Sequence, residues 1–150
     1  MSFNKKSLFT IFALLLLLVS HAQVSVCSWN LMNFGKSKSD SELEFIATTL
    51  SKFDVITIQE VVAGTGGPQA VARLVAILNN KGAQWDYAIS NPTTSDNPSS
   101  VERYAYLWKP SKVKKIGKCW LEQNFQNEID REPYMSTFEY QGKTFTLVSF

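Results

Sequence analysis

Two apolar strings, separated by an amphipathic stretch, do most to limit what this chain can become. Ser28-Trp29-Asn30-Leu31-Met32-Asn33-Phe34-Gly35 and Ile56-Thr57-Ile58-Gln59-Glu60-Val61 each read as a strand closing on one polar side chain. It is an amide in the first and a carboxylate in the second. Between them Leu43, Ile46, Ala47, Leu50 and Phe53 recur at three- and four-residue spacing, the mark of one helical stripe. Ser39 with Glu42, or Ser41 with Glu44, offers that helix a capping box. A parallel strand–helix–strand unit crosses over right-handedly, which brings both strand ends to one edge of the sheet. Open α/β sheets hold their ligands at that edge. An Asn and a Glu meeting there make a hard, oxygen-rich site of the kind Mg²⁺ prefers, and so point to metal-dependent chemistry on phosphate.

The first strand is predicted over residues 24–29 and the second over 55–59. Gly64-Thr65-Gly66-Gly67 reads as a loop, with Pro68 opening a second helix through Val71, Leu74, Val75 and Leu78. Asn79-Asn80-Lys81-Gly82 stops it. The glycines lack the lysine-bearing pattern of a nucleotide loop, so they are taken as loop and cap. Strands follow over 85–90, 103–109, 113–120, 134–140 and 144–150, with Gln141-Gly142-Lys143 as a hairpin turn. Tyr104, Tyr106 and Trp108 alternate along one of these and read as packing residues. This order describes one α/β domain that becomes antiparallel.

The leading segment reads as an address. Lys5 and Lys6 precede an apolar run from Leu8 to Val19, and Ser20-His21-Ala22 ends in a small residue suited to cleavage. The run falls short of the roughly 20 residues of a membrane span. The expectation is export from a bacterium, periplasmic or extracellular, with no membrane anchor after processing and a domain over 23–150. The formal charge of +2 owes itself to Lys5 and Lys6, so the remainder is near neutral and any polyanion must be held by a few placed cations. The single histidine, His21, lies in the leader, which leaves no imidazole base for the domain. Cys27 and Cys119 fit a bridge or two free thiols. The last strand stops without turn, cap or polar tail, as though the chain were the front part of a longer protein.

Four blocks in order, SWNLMNFG, ITIQEV, VERYAYLW and DREPYMSTF, carry a resemblance. From Val24 to Phe150 the chain resembles the N-terminal half of the endonuclease/exonuclease/phosphatase superfamily, in its deoxyribonuclease I-like branch. The resemblance implies half of a four-layer α/β/β/α sandwich, with one mixed sheet and helices on its outer face. It implies that Asn30 lies beside metal and scissile phosphate, and that Glu60 binds Mg²⁺, with Mn²⁺ or Ca²⁺ as substitutes. Glu102 would support a catalytic histidine and Arg131 would grip phosphate. Val62 and Ser100 depart from the branch, replacing an arginine and an aromatic residue that meet duplex DNA.

The implied activity is Mg²⁺-dependent hydrolysis of a phosphodiester, with nucleic acid as substrate. The histidine and further acids would belong to a missing C-terminal half, needed to complete the fold. Competing readings are a secreted phosphoesterase of lipid or sugar phosphates, sphingomyelinase-like, and a catalytically dead phosphate-binding fragment. Half of a sandwich is also expected to bare an apolar sheet face larger than monomers normally tolerate.

Overall fold

The computed structural model describes residues 23–124 and 128–150; the expected leader lies outside the described residues. The first crossover forms as its pattern demands. Strand β1 (Val26–Phe34) and strand β2 (Val55–Val62) pair in parallel, with Val26 opposite Val55 and Asn30 opposite Gln59. Helix α1 (Asp40–Leu50) joins them. The Ser39–Glu42 box caps it: the Ser39 N–H donates to Glu42 Oε2 at 2.7 Å, and the Glu42 N–H returns a bond to Ser39 Oγ at 3.3 Å. Helix α2 (Gly66–Asn80) begins two residues before Pro68, because the chain turns into it directly from β2. A Cβ on Gly67 would lie 2.0 Å from the Val62 carbonyl oxygen, a gap that only glycine fits.

Strands β3 (Asp86–Ile89) and β4 (Glu102–Trp108) complete a four-stranded mixed sheet in the order β1-β2-β4-β3. Helices α1 and α2 cover one face. Leu43, Ile46, Leu50, Val71, Leu74 and Leu78 pack there against Ile56, Ile58, Ala105 and Leu107. On β4 the residues alternate, and both sets are buried: Ala105 and Leu107 face the helices, while Tyr104, Tyr106 and Trp108 face away.

What they face is a second sheet. Strands β5 (Lys114–Leu121), β6 (Tyr134–Tyr140) and β7 (Lys143–Ser149) form an antiparallel sheet of their own, so the chain carries more than the single sheet expected of it. Periodicity cannot say which strands share a ladder. Tyr134 and Phe138 of β6 fill the space between the sheets with Val55, Tyr104, Tyr106 and Trp108. The Tyr106 and Phe138 rings meet edge-on at 6.0 Å, and Tyr106 stacks on Tyr134 at 5.3 Å. Tyr106 Oη lies 2.9 Å from the Tyr134 carbonyl oxygen and 3.0 Å from that of Leu147. The inner face of the mixed sheet is therefore covered, and the bare face expected there is absent. Apolar exposure remains on the outside of the second sheet, at Trp120 and Val148, and at Phe150 beyond it.

Gln141 (φ 49°) and Gly142 (φ 74°) make a two-residue turn between Tyr140 and Lys143, both in the left-handed region that such a hairpin requires. Cys27 packs on the helix side of the mixed sheet and Cys119 between the sheets, and both are free thiols.

Candidate metal and phosphate site

β1 and β2 do not end at Asn30 and Glu60, as their patterns predict. They run through them by way of bulges. The β1–β2 register slips between Asn30 and Phe34, and the β2–β4 register slips between Ile58 and Val61. Met32 (φ 41°), Asn33 (φ 53°) and Glu60 (φ 55°) take left-handed backbone, which costs a non-glycine residue about 1–3 kcal/mol. Bulges re-aim side chains, and these two turn Asn30 and Glu60 toward each other. Asn30 Nδ2 donates to Glu60 Oε1 at 2.8 Å, and the Asn33 N–H donates to Glu60 Oε2 at 3.2 Å. The Asn30 Oδ1 accepts from the Met32 N–H at 2.9 Å. A reversed amide would set oxygen against carboxylate, so the network fixes its orientation.

Across the edge, Arg131 Nη1 lies 3.1 Å from Glu102 Oε1. Two adjacent threonines explain how the segment carrying Arg131 arrives there. The Thr93 N–H donates to the Glu102 carbonyl at 2.8 Å, and the Glu102 N–H to Thr93 Oγ1 at 3.1 Å. Thr94 gives both its N–H and its hydroxyl to the buried Glu132 carboxylate, each at 2.7 Å. The 91–100 loop thus ties β4 to the segment before β6. Burial alone would raise the Glu132 carboxyl, but the Thr94 donors outweigh it and hold the group below its ordinary value. Glu102 goes the other way. Burial pushes it up, Arg131 and the Tyr104 hydroxyl only partly oppose this, and the Glu60 charge adds to the rise.

Asn33, Glu60, Glu102 and Arg131 line one cleft of about 440 Å³, together with Val62 and Ser100. All four residues singled out in the sequence are thus gathered at one sheet edge, Asn30 through its bond to Glu60. Asn30 differs from the expected metal ligand in one respect. The oxygen that would face a cation already accepts from Met32, and the NH₂ faces the carboxylate. Its remaining N–H is left without a partner among these contacts. Among the described residues no group of three or more His, Cys, Asp or Glu is arranged to hold a metal ion. Glu60 nonetheless suits Mg²⁺, which keeps most of its waters and takes one or two carboxylates. Each Glu60 oxygen accepts a single bond here and retains lone-pair capacity.

Three supports escaped the sequence reading. Arg103 clamps the cleft wall, with Nε on the Ala63 carbonyl at 2.8 Å and Nη1 on that of Ser90 at 2.7 Å. Glu132, buried and held by Thr94, belongs to no motif that marks it as a brace. Asn33 acts through its backbone N–H alone, which no side-chain motif reveals.

No family model matches the chain. It is 26% identical to a deoxyribonuclease of Thioalkalivibrio sp. (strain K90mix), over 87% of this chain and 36% of that protein. It is also 26% identical to human (Homo sapiens) deoxyribonuclease gamma, over 84% and 43%. The chain thus spans less than half the length of the curated relatives it matches. Among solved structures, an endonuclease/exonuclease/phosphatase family protein from Leptotrichia buccalis C-1013-b superposes with a TM-score of 0.54 at 14% identity, covering 85% of this chain and 53% of that one. D. rerio TDP2 complexed with a single-strand DNA product gives 0.52 at 16%, covering 83% and 44%. These likenesses give the chain the endonuclease/exonuclease/phosphatase fold, over part of the neighbours' length.

Proposed function

We propose that this chain, which has deoxyribonucleases among its relatives and the endonuclease/exonuclease/phosphatase fold, carries the metal- and phosphate-holding part of a phosphodiesterase whose substrate is nucleic acid. One observation carries the reading: Glu60, oriented by Asn30, and Arg131, oriented by Glu102, open onto one cleft. Glu60 would hold Mg²⁺, which supplies charge neutralisation at the phosphoryl oxygens. Asn30 keeps the Glu60 carboxylate aimed and offers its second N–H to a phosphate oxygen. The planar guanidinium of Arg131 can grip two phosphate oxygens and carry charge that grows in the transition state. Glu102 holds that guanidinium and, by the family resemblance, would also steady an imidazole. Residues 23–150 contain no histidine, so they do not themselves supply an imidazole to take the proton from the attacking water. Residues 1–22 are read as an export leader.

The test is calorimetric titration of the chain with Mn²⁺ and with a non-hydrolysable dinucleotide. Glu60→Ala is expected to abolish Mn²⁺ binding, and Arg131→Ala to weaken the dinucleotide at least ten-fold. Binding indifferent to both changes would overturn the assignment. Residues 1–150 alone are expected to leave plasmid DNA intact with Mg²⁺ present; metal-dependent nicking would show that the chain holds its own base.

A further inference from the structure

Beside Asn30, on the side away from Glu102, a second hollow of about 430 Å³ opens between β1 and α1. Its wall includes Trp29, Leu31, Met32, Phe45 and Ile46, with Lys38 among the lining residues. Met32 is 67% exposed and Phe45 68% exposed. Scattered apolar side chains on a surface need no explanation, but these two share one groove. Met32 is moreover held in left-handed backbone by the bulge that also sets Asn30, so the strain that aims the phosphate contact also aims the thioether.

We infer that this groove is a base-stacking subsite for single-stranded nucleic acid, seating the nucleotide adjacent to the phosphate held at Glu60 and Arg131; it rests on the function proposed above. Asn30 lies in the wall of the groove and bonds Glu60 in the wall of the cleft, so the two sites adjoin across that pair. Phe45 offers a ring face, and Met32 a polarizable sulfur suited to the edge of a flat ring. Lys38, in the same lining, adds a cation that would favour a polyanionic strand. Glu42, the one acid in the wall, is turned to the Ser39 N–H and hydroxyl at 2.7 Å each. Stacking is tolerant of sequence and suits a strand whose bases are free. A duplex would instead need several phosphate contacts, and among the described residues Arg131 is the one cation lining the neighbouring cleft.

The test compares two probes of equal phosphate count on the full chain, a single-stranded deoxyribonucleotide tetramer and an abasic sugar–phosphate tetramer, followed by tryptophan fluorescence. The base-bearing tetramer is expected to bind about ten-fold tighter, at the low end of what one stacked base contributes. Phe45→Ala and Met32→Ala should each erase most of that advantage without altering abasic affinity, whereas Arg131→Ala should weaken both probes. Equal affinities for the two probes would overturn the subsite, as would an advantage that survives the double variant. So would vesicles of phosphatidylcholine with phosphatidylserine binding through Phe45 while the tetramer does not. If the abasic probe binds through Arg131 and bases add nothing, the subsite alone falls. If neither probe binds, the phosphodiesterase reading falls with it.

Discussion

Glu102 and Arg131 illustrate how a charge is kept where solvent would rather not leave it. Burial raises the Glu102 carboxyl, so its ionised form is tolerated in the fold chiefly because Arg131 faces it. A carboxyl raised in the folded state contributes stability at low pH and loses it as pH rises through the folded value. Arg131→Ala raises that value further. The variant should therefore lose more thermal stability at neutral than at acid pH, where a protonated Glu102 no longer needs the arginine; melting curves across that range check this. A uniform loss would mean that the arginine contributes packing alone. On the proposed function Asn30 would act on Glu60 as the outer partner of a metal ligand, and such partners typically change metal affinity by about 10–100-fold. Asn30→Ala should accordingly weaken Mn²⁺ about ten-fold while Glu60→Ala abolishes it. Equal effects would make Asn30 a ligand in its own right.

At the scale of elements, the parts with a local physical signature were legible. The Ser39–Glu42 box and the Gln141-Gly142 turn each rest on contacts within a few residues, and the α1 stripe on a spacing read within one helix. Strand existence was legible too, and so was the meeting of Asn30 and Glu60 at one edge, because parallel crossovers leave little choice. The bulges were not, since nothing in Met32, Asn33 or Glu60 announces left-handed backbone. Nor was the bracing of Glu132 by Thr94, a contact 38 residues apart that depends on how a polar loop folds back. The α2 entrance gives a direct test. Gly67→Ala puts a methyl group 2.0 Å from the Val62 carbonyl and 2.9 Å from the Val61 side chain, so β2 or α2 must move. Overpacking of this kind costs about 1–3 kcal/mol or more. Chemical denaturation should show it, with Mn²⁺ affinity falling as well because Val61 adjoins Glu60. Gly64→Ala, with nothing within 4 Å, is the control and should be nearly neutral in both.

Across the whole molecule, two buried clusters share the mixed sheet, one under the helices and one under the second sheet. Phe138 is fully buried at the centre of the latter, touching the rings of Tyr106, Trp108 and Phe145. Phe138→Ala should cost about 3–5 kcal/mol. Hydrogen exchange should then accelerate in β5–β7 before it does in β1 and β2; simultaneous acceleration would mean that the sheets open as one unit. Acid should act on the molecule through Asp54 as well as Glu132. Burial would raise Asp54, but the Ser25 N–H and hydroxyl and the Lys109 ammonium outweigh it and hold the group low. Both carboxyls therefore add stability above the unfolded range near pH 4 and lose it as pH falls through their depressed folded values. A last consequence follows from the side chains that meet between the sheets. Thr57 Oγ1 bonds Ser149 Oγ at 2.7 Å, and Gln59 Nε2 bonds Ser149 at 2.8 Å and Ser28 at 3.1 Å. Aromatic rings alone would let one layer glide over the other. These few polar atoms act like teeth, since a slip of one step would strand each of them in hydrocarbon. The spacing between the layers is indexed before any guest arrives.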